Sequence, residues 1–153
     1  VSCHLRSKGG DSPLFGTLQP YERPSEDQRM QQAEELSAFV AALRERDPGA
    51  RVVVLGDLND FQFSPPVRRL ERDGNLINLT GGLPLSGRWT YIYQGNAQAL
   101  DHVLVSPGFL EAVGGAQRLD YAVAHLNAAR FDGASDHDPC VLTFPIPGSE
   151  QGR

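Results

Sequence analysis

The 153 residues are 40% hydrophobic and 22% charged, enough apolar material for a core of one domain. No apolar run approaches the length needed to span a bilayer, which excludes a transmembrane helix. The formal net charge of −5 argues against a broad basic footprint for duplex DNA, although acids gathered around a cation would contribute to that total.

Residues 1–8, Val1-Ser2-Cys3-His4-Leu5-Arg6-Ser7-Lys8, read as a short strand that carries one histidine into a Gly-rich loop. The loop 9–24 is too long for a simple hairpin, so it is a candidate to flank a site, with Arg6, Lys8 and Arg23 as charges that face a phosphate or are merely solvated. Ser25 with Gln28 reads as a capping box. Met30, Ala33, Leu36, Val40 and Leu43 then recur at helical spacing until Pro48-Gly49 stops the run, and Arg29 reaches back toward the site loop or, as is usual for a helical Arg, is merely solvated. The run 52–55 is β-branched and aliphatic throughout, as in a strand buried on both faces. Ser64-Pro65-Pro66 opens a short helix reaching about Arg72, since proline is tolerated in a first turn. Residues 89–93 and 100–105 read as two strands joined through Gly95-Asn96, with the stripe Trp89, Tyr91 and Tyr93 expected to pack on a sheet face rather than to stack bases. Residues 109–130 read as a mixed connector, 140–144 as a last strand, and 148–153 as a disordered tail.

Polar groups collect where these strands begin and end. In Val52-Val53-Val54-Leu55-Gly56-Asp57-Leu58-Asn59-Asp60 an apolar strand runs into a carboxylate, an amide and a second carboxylate. A carboxylate and an amide two residues apart on a rigid lip can hold a hard cation, orient a water or brace a phosphate oxygen. They can equally cap a turn. Ala99-Leu100-Asp101-His102-Val103-Leu104-Val105-Ser106 is a strand interrupted by one acid and one imidazole, and an ionised group there needs a partner. Strand alternation sends Asp101 and His102 to opposite faces, so His102 stays outside the site. His125 is left out with it. Ser135-Asp136-His137-Asp138-Pro139 puts a further acid–imidazole pair at the entry of the last strand, and turn capping accounts adequately for Asp60 and Asp138. For Cys3 and Cys140 two buried free thiols are the default and a bridge between them the alternative; the cysteine count leaves the compartment open.

Taken in order, Cys3-His4-Leu5-Arg6-Ser7-Lys8, Gly56-Asp57-Leu58-Asn59, Leu100-Asp101-His102-Val103-Leu104-Val105-Ser106 and Ser135-Asp136-His137 resemble the endonuclease/exonuclease/phosphatase superfamily of metal-dependent phosphodiesterases. Ser7-Lys8-Gly9-Gly10-Asp11 and Gln28-Arg29 look most like its secreted bacterial nuclease-like members, and a secreted or periplasmic location rests on that resemblance alone. The resemblance implies an α/β (α+β) fold: part of a four-layered αββα sandwich with a mostly antiparallel mixed sheet flanked by helices. Domains of this family run to about 250 residues, and residues 1–147 match the C-terminal portion. The family's Asn and metal-binding Glu lie upstream of the position that His4 matches, and neither has a counterpart here. The expected partners are therefore the remaining N-terminal half of the domain or, for the exposed half-core, a second copy of the chain.

The function implied is Mg²⁺-dependent phosphodiester hydrolysis, with Mn²⁺ or Ca²⁺ as alternative ions and nucleic acid as the leading substrate; a phospholipid (sphingomyelin) or inositol phosphate hydrolase and a non-catalytic fragment are the alternatives. The isolated chain is expected to be inactive without the upstream Glu. By resemblance, His137 lies against the scissile phosphate and Asp101 orients it through a ring N–H. Asp57 positions or deprotonates the attacking water and helps hold the metal. Asn59 donates to a phosphoryl oxygen or holds that water, Asp136 binds metal or protonates the leaving group, and His4 donates to a non-bridging oxygen. A lone strand histidine such as His4 is otherwise most simply a satisfied core residue.

Overall fold

A computed structural model of the chain describes residues 1–13, 16–130 and 133–146; the tail expected at 148–153 lies outside the described residues. The central sheet has four strands in the order β1 (Ser2–His4), β2 (Val53–Asp57), β6 (Asp101–Val105) and β3 (Ile77–Asn78). β1 runs parallel to β2, whereas β2 and β3 are both antiparallel to β6. This is the mostly antiparallel mixed sheet, flanked by helices, that the motifs imply. β4 (Tyr91–Tyr93) and β5 (Asn96–Gln98) form a hairpin of their own, and β7 (Asp120–Val123) pairs with β8 (Cys140–Thr143). The two strands expected at 89–93 and 100–105 therefore belong to different sheets: the turn at Gly95 folds β4 back on the short β5 before the chain enters β6. The region expected to be a connector contains a further helix (Pro107–Val113) and β7.

One face of the sheet is covered by α1 (Pro24–Arg46) and α2 (Pro65–Arg72), with Ala33, Val40, Val54, Leu58, Val67, Leu70 and Leu104 in one apolar cluster. The other face carries Val103 and Val105 against Phe109, Val113, Tyr121 and Leu142. Strand parity makes this division. On β6, Leu104 and His102 face the helices while Asp101, Val103 and Val105 face β8. Val53, Leu55 and Val103, the apolar residues on the Asp101 side, line a groove of ≈ 640 Å³ that continues past Leu142 and Phe144, and Leu55 is 41% exposed in it. Both cysteines are free. Among the described residues, no helix is long and apolar enough to cross a membrane.

The start of α1 differs from the capping-box expectation. The helix begins at Pro24, Arg23 occupies the cap without a side-chain bond, and Ser25 turns inward. There its hydroxyl donates to Asp11 (2.6 Å) and accepts from Arg29 (2.6 Å). Arg29 itself is fully buried rather than solvated: Asp60 pairs with it at 2.9 Å, and Asp11 lies 3.8 Å away.

Candidate active site

The register of three strands builds the site. His4 pairs with Asp57 across β1 and β2, and Asp57 pairs with Asp101 across β2 and β6. Residues opposite one another in register project from the same face of a sheet. His4, Asp57 and Asp101 therefore form a row at one end of the sheet, and the backbone of β2 allows the row to close up at Gly56. Gly56 has φ +135°, and a Cβ there would stand 1.9 Å from the carbonyl oxygen of Cys3. Glycine thus does more than let the chain leave the sheet: only it permits β1 to approach this closely.

The fourth member arrives from the segment before β8. Tyr91 and His137 form an isolated antiparallel bridge, and the amide of Asp138 donates to the carbonyl of Thr90, so the edge of β4 holds this segment over the row. His137 Nδ1 lies 2.6 Å from Asp101 Oδ2 and its Nε2 lies 3.9 Å from Asp57 Oδ2. His4 Nε2 approaches the same Asp57 oxygen to 3.4 Å. Asn59, at φ +51°, curls its amides back: its backbone N–H donates to Asp57 Oδ1 (2.8 Å), and its side-chain NH₂ donates to Asp57 Oδ2 (3.2 Å) and to the Leu5 carbonyl (3.0 Å).

Both titrating partners are shifted upward, by different causes. Burial raises the Asp57 carboxyl above the ordinary aspartate value, the Asn59 amide opposes this, and the neighbouring Asp101 charge adds to it. Burial pulls the His137 imidazole down, but the hydrogen bond it donates to Asp101 and the charges of Asp101, Asp57 and Asp136 outweigh it and leave the ring above the ordinary histidine value. A carboxylate and an imidazole that both bind a proton more tightly than usual then face one another. Asp57, Asp101 and His137 also present three donor atoms within 4.8 Å of one another, a group able to hold a metal ion.

Not every expected member joins the row. Asp136 is exposed and lies outside that three-residue group, although its charge acts on His137 and Tyr91. His102 is 1% exposed and saturated, with Asn78 at Nδ1 (3.2 Å) and the Asp60 carbonyl at Nε2 (2.9 Å), and burial lowers its affinity for a proton. Asp138 caps a turn as expected, one oxygen accepting the amides of Leu126, Asn127 and Ala128. Asp60 does more than cap. Although burial favours its protonated form, Lys8 (2.7 Å), Ser64 (2.6 Å) and Arg29 (2.9 Å) hold the carboxyl below the ordinary range. Lys8 pairs with Asp60, and Arg23 with Glu26.

Sequence reasoning also missed the partners of the aromatic stripe. Tyr91 stacks on His137 with ring centroids 4.7 Å apart, and Trp89 stacks on His125 at 3.8 Å. Alternation at 89–93 signals a shared side for these rings but carries no information about what that side covers.

Two solved structures share this architecture. Sphingomyelinase C from Streptomyces griseocarneus superposes with a TM-score of 0.57 at 18% identity, over 92% of this chain and 51% of that one. Beta toxin 275-280 from Staphylococcus aureus superposes with a TM-score of 0.51 at 16% identity, over 93% of this chain and 50% of that one. The chain spans about half the length of each, and the likeness at these identities is one of fold. No curated protein sequence matches it. A family model does match, over residues 4–137, from the first histidine of the row to the last, and on that match the chain belongs to the Endonuclease/Exonuclease/phosphatase family.

Proposed function

We propose that the chain supplies the imidazole–carboxylate part of a Mg²⁺-dependent phosphodiesterase that hydrolyses nucleic acid. The observation that carries this reading is the 3.9 Å gap between His137 Nε2 and Asp57 Oδ2, with the far nitrogen of His137 tied to Asp101 at 2.6 Å. The His137 ring, held in one orientation, directs Nε2–H in its protonated form at the place where a phosphoryl oxygen gains charge, and Asp57 accepts the proton of an attacking water. Asp101 fixes the ring and its tautomer. Asn59 locks the Asp57 carboxylate from two sides and His4, exposed on the rim, donates to a non-bridging oxygen. Mg²⁺, or Mn²⁺ or Ca²⁺ in its place, would be held by Asp57 with Asp136 and would neutralise charge on the phosphoryl oxygens and the departing alkoxide. Two carboxylates fall short of the six oxygens a hard ion prefers, so the chain alone is expected to bind Mg²⁺ weakly.

A second reading, a phospholipid or inositol phosphate hydrolase, gains support from the lip beside Asn59, where Phe61 and Phe63 stack at 5.3 Å and Phe63 is 65% exposed. An apolar pair there suits an interface with acyl chains. The deciding experiment assays the protein in Mg²⁺, with and without the remaining half of the domain supplied in trans, against plasmid DNA and sphingomyelin vesicles. DNA cleavage after complementation supports the nuclease; cleavage of the lipid alone replaces it with the second reading. Cleavage of neither substrate by the complemented domain removes both.

A further inference from the structure

The geometry points to His125 as a second imidazole of the same site, binding a phosphate of the substrate strand adjacent to the scissile one. The inference rests on the nucleic-acid reading above. Thr90 organises the region: fully buried, its hydroxyl accepts the amides of Leu100 and Asp101, and its carbonyl accepts the amide of Asp138. With Thr90 pointing inward, its neighbours Trp89 and Tyr91 point outward on one side, where each backs an imidazole, Trp89 against His125 and Tyr91 against His137.

The two imidazoles are built alike. Each uses Nδ1 on a carboxylate, His137 on Asp101 at 2.6 Å and His125 on Asp138 at 3.0 Å. The loop bearing His125 is tied to the segment bearing His137, because Asp138 collects three of its amides and the Asn127 side chain donates to the His137 carbonyl (3.1 Å). The supporting rings are two residues apart, roughly 7 Å along an extended chain.

A purely structural histidine in this protein looks different. His102 is buried and bonded through both nitrogens. The side chain of His125 is 32% exposed, and among the described residues its Nε2 has no hydrogen-bond partner. An imidazole fixed through one nitrogen and open at the other is prepared to donate to an anionic oxygen when protonated. Two such groups side by side match a chain of repeating phosphates, whereas a lone phosphodiester engages only the first.

The test compares an oligonucleotide with bis(4-nitrophenyl) phosphate in the complemented domain, for wild type and His125→Gln. The ratio of kcat/KM for the oligonucleotide to that for the small diester should fall about tenfold, the size of one charge-assisted hydrogen bond, and through KM rather than kcat. A ratio that moves less than about twofold while wild type cleaves the oligonucleotide overturns the role of His125 alone. Wild type that turns over the small diester but no oligonucleotide removes the nucleic-acid reading and this inference with it. Should His125→Gln fail to fold, the His125 ring resonances of wild type are followed during titration with a non-hydrolysable phosphorothioate oligonucleotide; their failure to shift overturns the proposal.

Discussion

Replacing Arg29 with methionine should be one of the most damaging changes away from the row of His4, Asp57 and Asp101. The guanidinium is fully buried and meets Asp60 at 2.9 Å, the Ser25 hydroxyl at 2.6 Å, the Arg6 carbonyl at 3.2 Å and Asp11 at 3.8 Å. Methionine fills most of the volume but leaves two carboxylates short of a cation. Breaking a buried ion pair by removing one partner costs about 3–5 kcal/mol, and because Lys8 still reaches Asp60 the lower end, about 3 kcal/mol, is expected here. That is a large share of the 5–15 kcal/mol that typically holds a domain together. Urea unfolding reads it as a lower midpoint at unchanged slope. Asp60→Asn in the Arg29→Met background should recover part of the loss, giving a coupling energy of at least about 1 kcal/mol. The pH dependence follows in sign. The folded Asp60 titrates below its unfolded value, so its contribution is complete above about pH 4 and is lost as pH falls through the folded value; the gap between Arg29→Met and wild type should narrow on acidification. A loss under about 1 kcal/mol, or strictly additive single changes, would refute the idea that this cluster acts as one unit.

Gly56→Ala should cost at least about 3 kcal/mol in thermal unfolding, because its Cβ would stand 1.9 Å from the Cys3 carbonyl oxygen; a variant within about 1 kcal/mol of wild type would show that β1 tolerates displacement. In the complemented domain, His137→Ala and Asp57→Asn should each lower kcat by about a hundredfold or more, and Asp101→Asn nearly as much, while Tyr91→Phe keeps the ring stacked on His137 and stays within a few-fold. Retention of most of kcat by Asp101→Asn would make the 2.6 Å pair structural only. His102 is buried in its neutral form with its folded value lowered, so it contributes stability above about pH 6.5 that fades as pH falls below it, and His102→Gln should flatten the fall in midpoint between about pH 7 and pH 5; an identical pH profile counts against this. We also propose that the groove along Val53, Leu55, Val103, Leu142 and Phe144 is covered by the rest of a longer domain, so that the chain alone self-associates in sedimentation velocity; a monomer at high concentration is the contrary result.

What the sequence made legible is what strand parity encodes. Asp101 and His102 are chain neighbours, yet alternation alone separates them, and the structure places one beside His137 and the other against Asn78. The row His4, Asp57 and Asp101 was foreseeable as polar groups at strand ends, and it needed the register to become a row. For Arg29 the local pattern left a reach toward the site loop and a solvated face both open, since its carboxylate partner lies 31 positions away. The capping box failed for a related reason: Ser25 had a better partner in Asp11, 14 residues earlier, than the orphan amides of its own helix. Trp89 and Tyr91 were read as packing because their partners are imidazoles from segments that local pattern cannot bring near.

The same chemistry serves opposite ends on the two faces of the sheet. Behind Asn59, the Asp60 carboxylate meets two cations and a hydroxyl, so its charge is fixed and its position with it. That anchors the residue next to Asn59, whose backbone at φ +51° holds a conformation unusual for a side chain other than glycine. The force that keeps Asn59 aimed at Asp57 thus comes from an ionic cluster in which Asp60 is held by Lys8, Arg29 and Ser64. In front, Asp57 and His137 stand 3.9 Å apart, beyond hydrogen-bonding distance, and their affinities for protons are moved upward by burial in one case and by surrounding carboxylates in the other. Were Asp57 and His137 bonded as Asp60 is, neither group could trade a proton with a bound molecule; were Asp60 as open as they are, Asn59 would be free to relax. Rigidity on one side of residues 57–60 is what makes reactivity on the other side affordable.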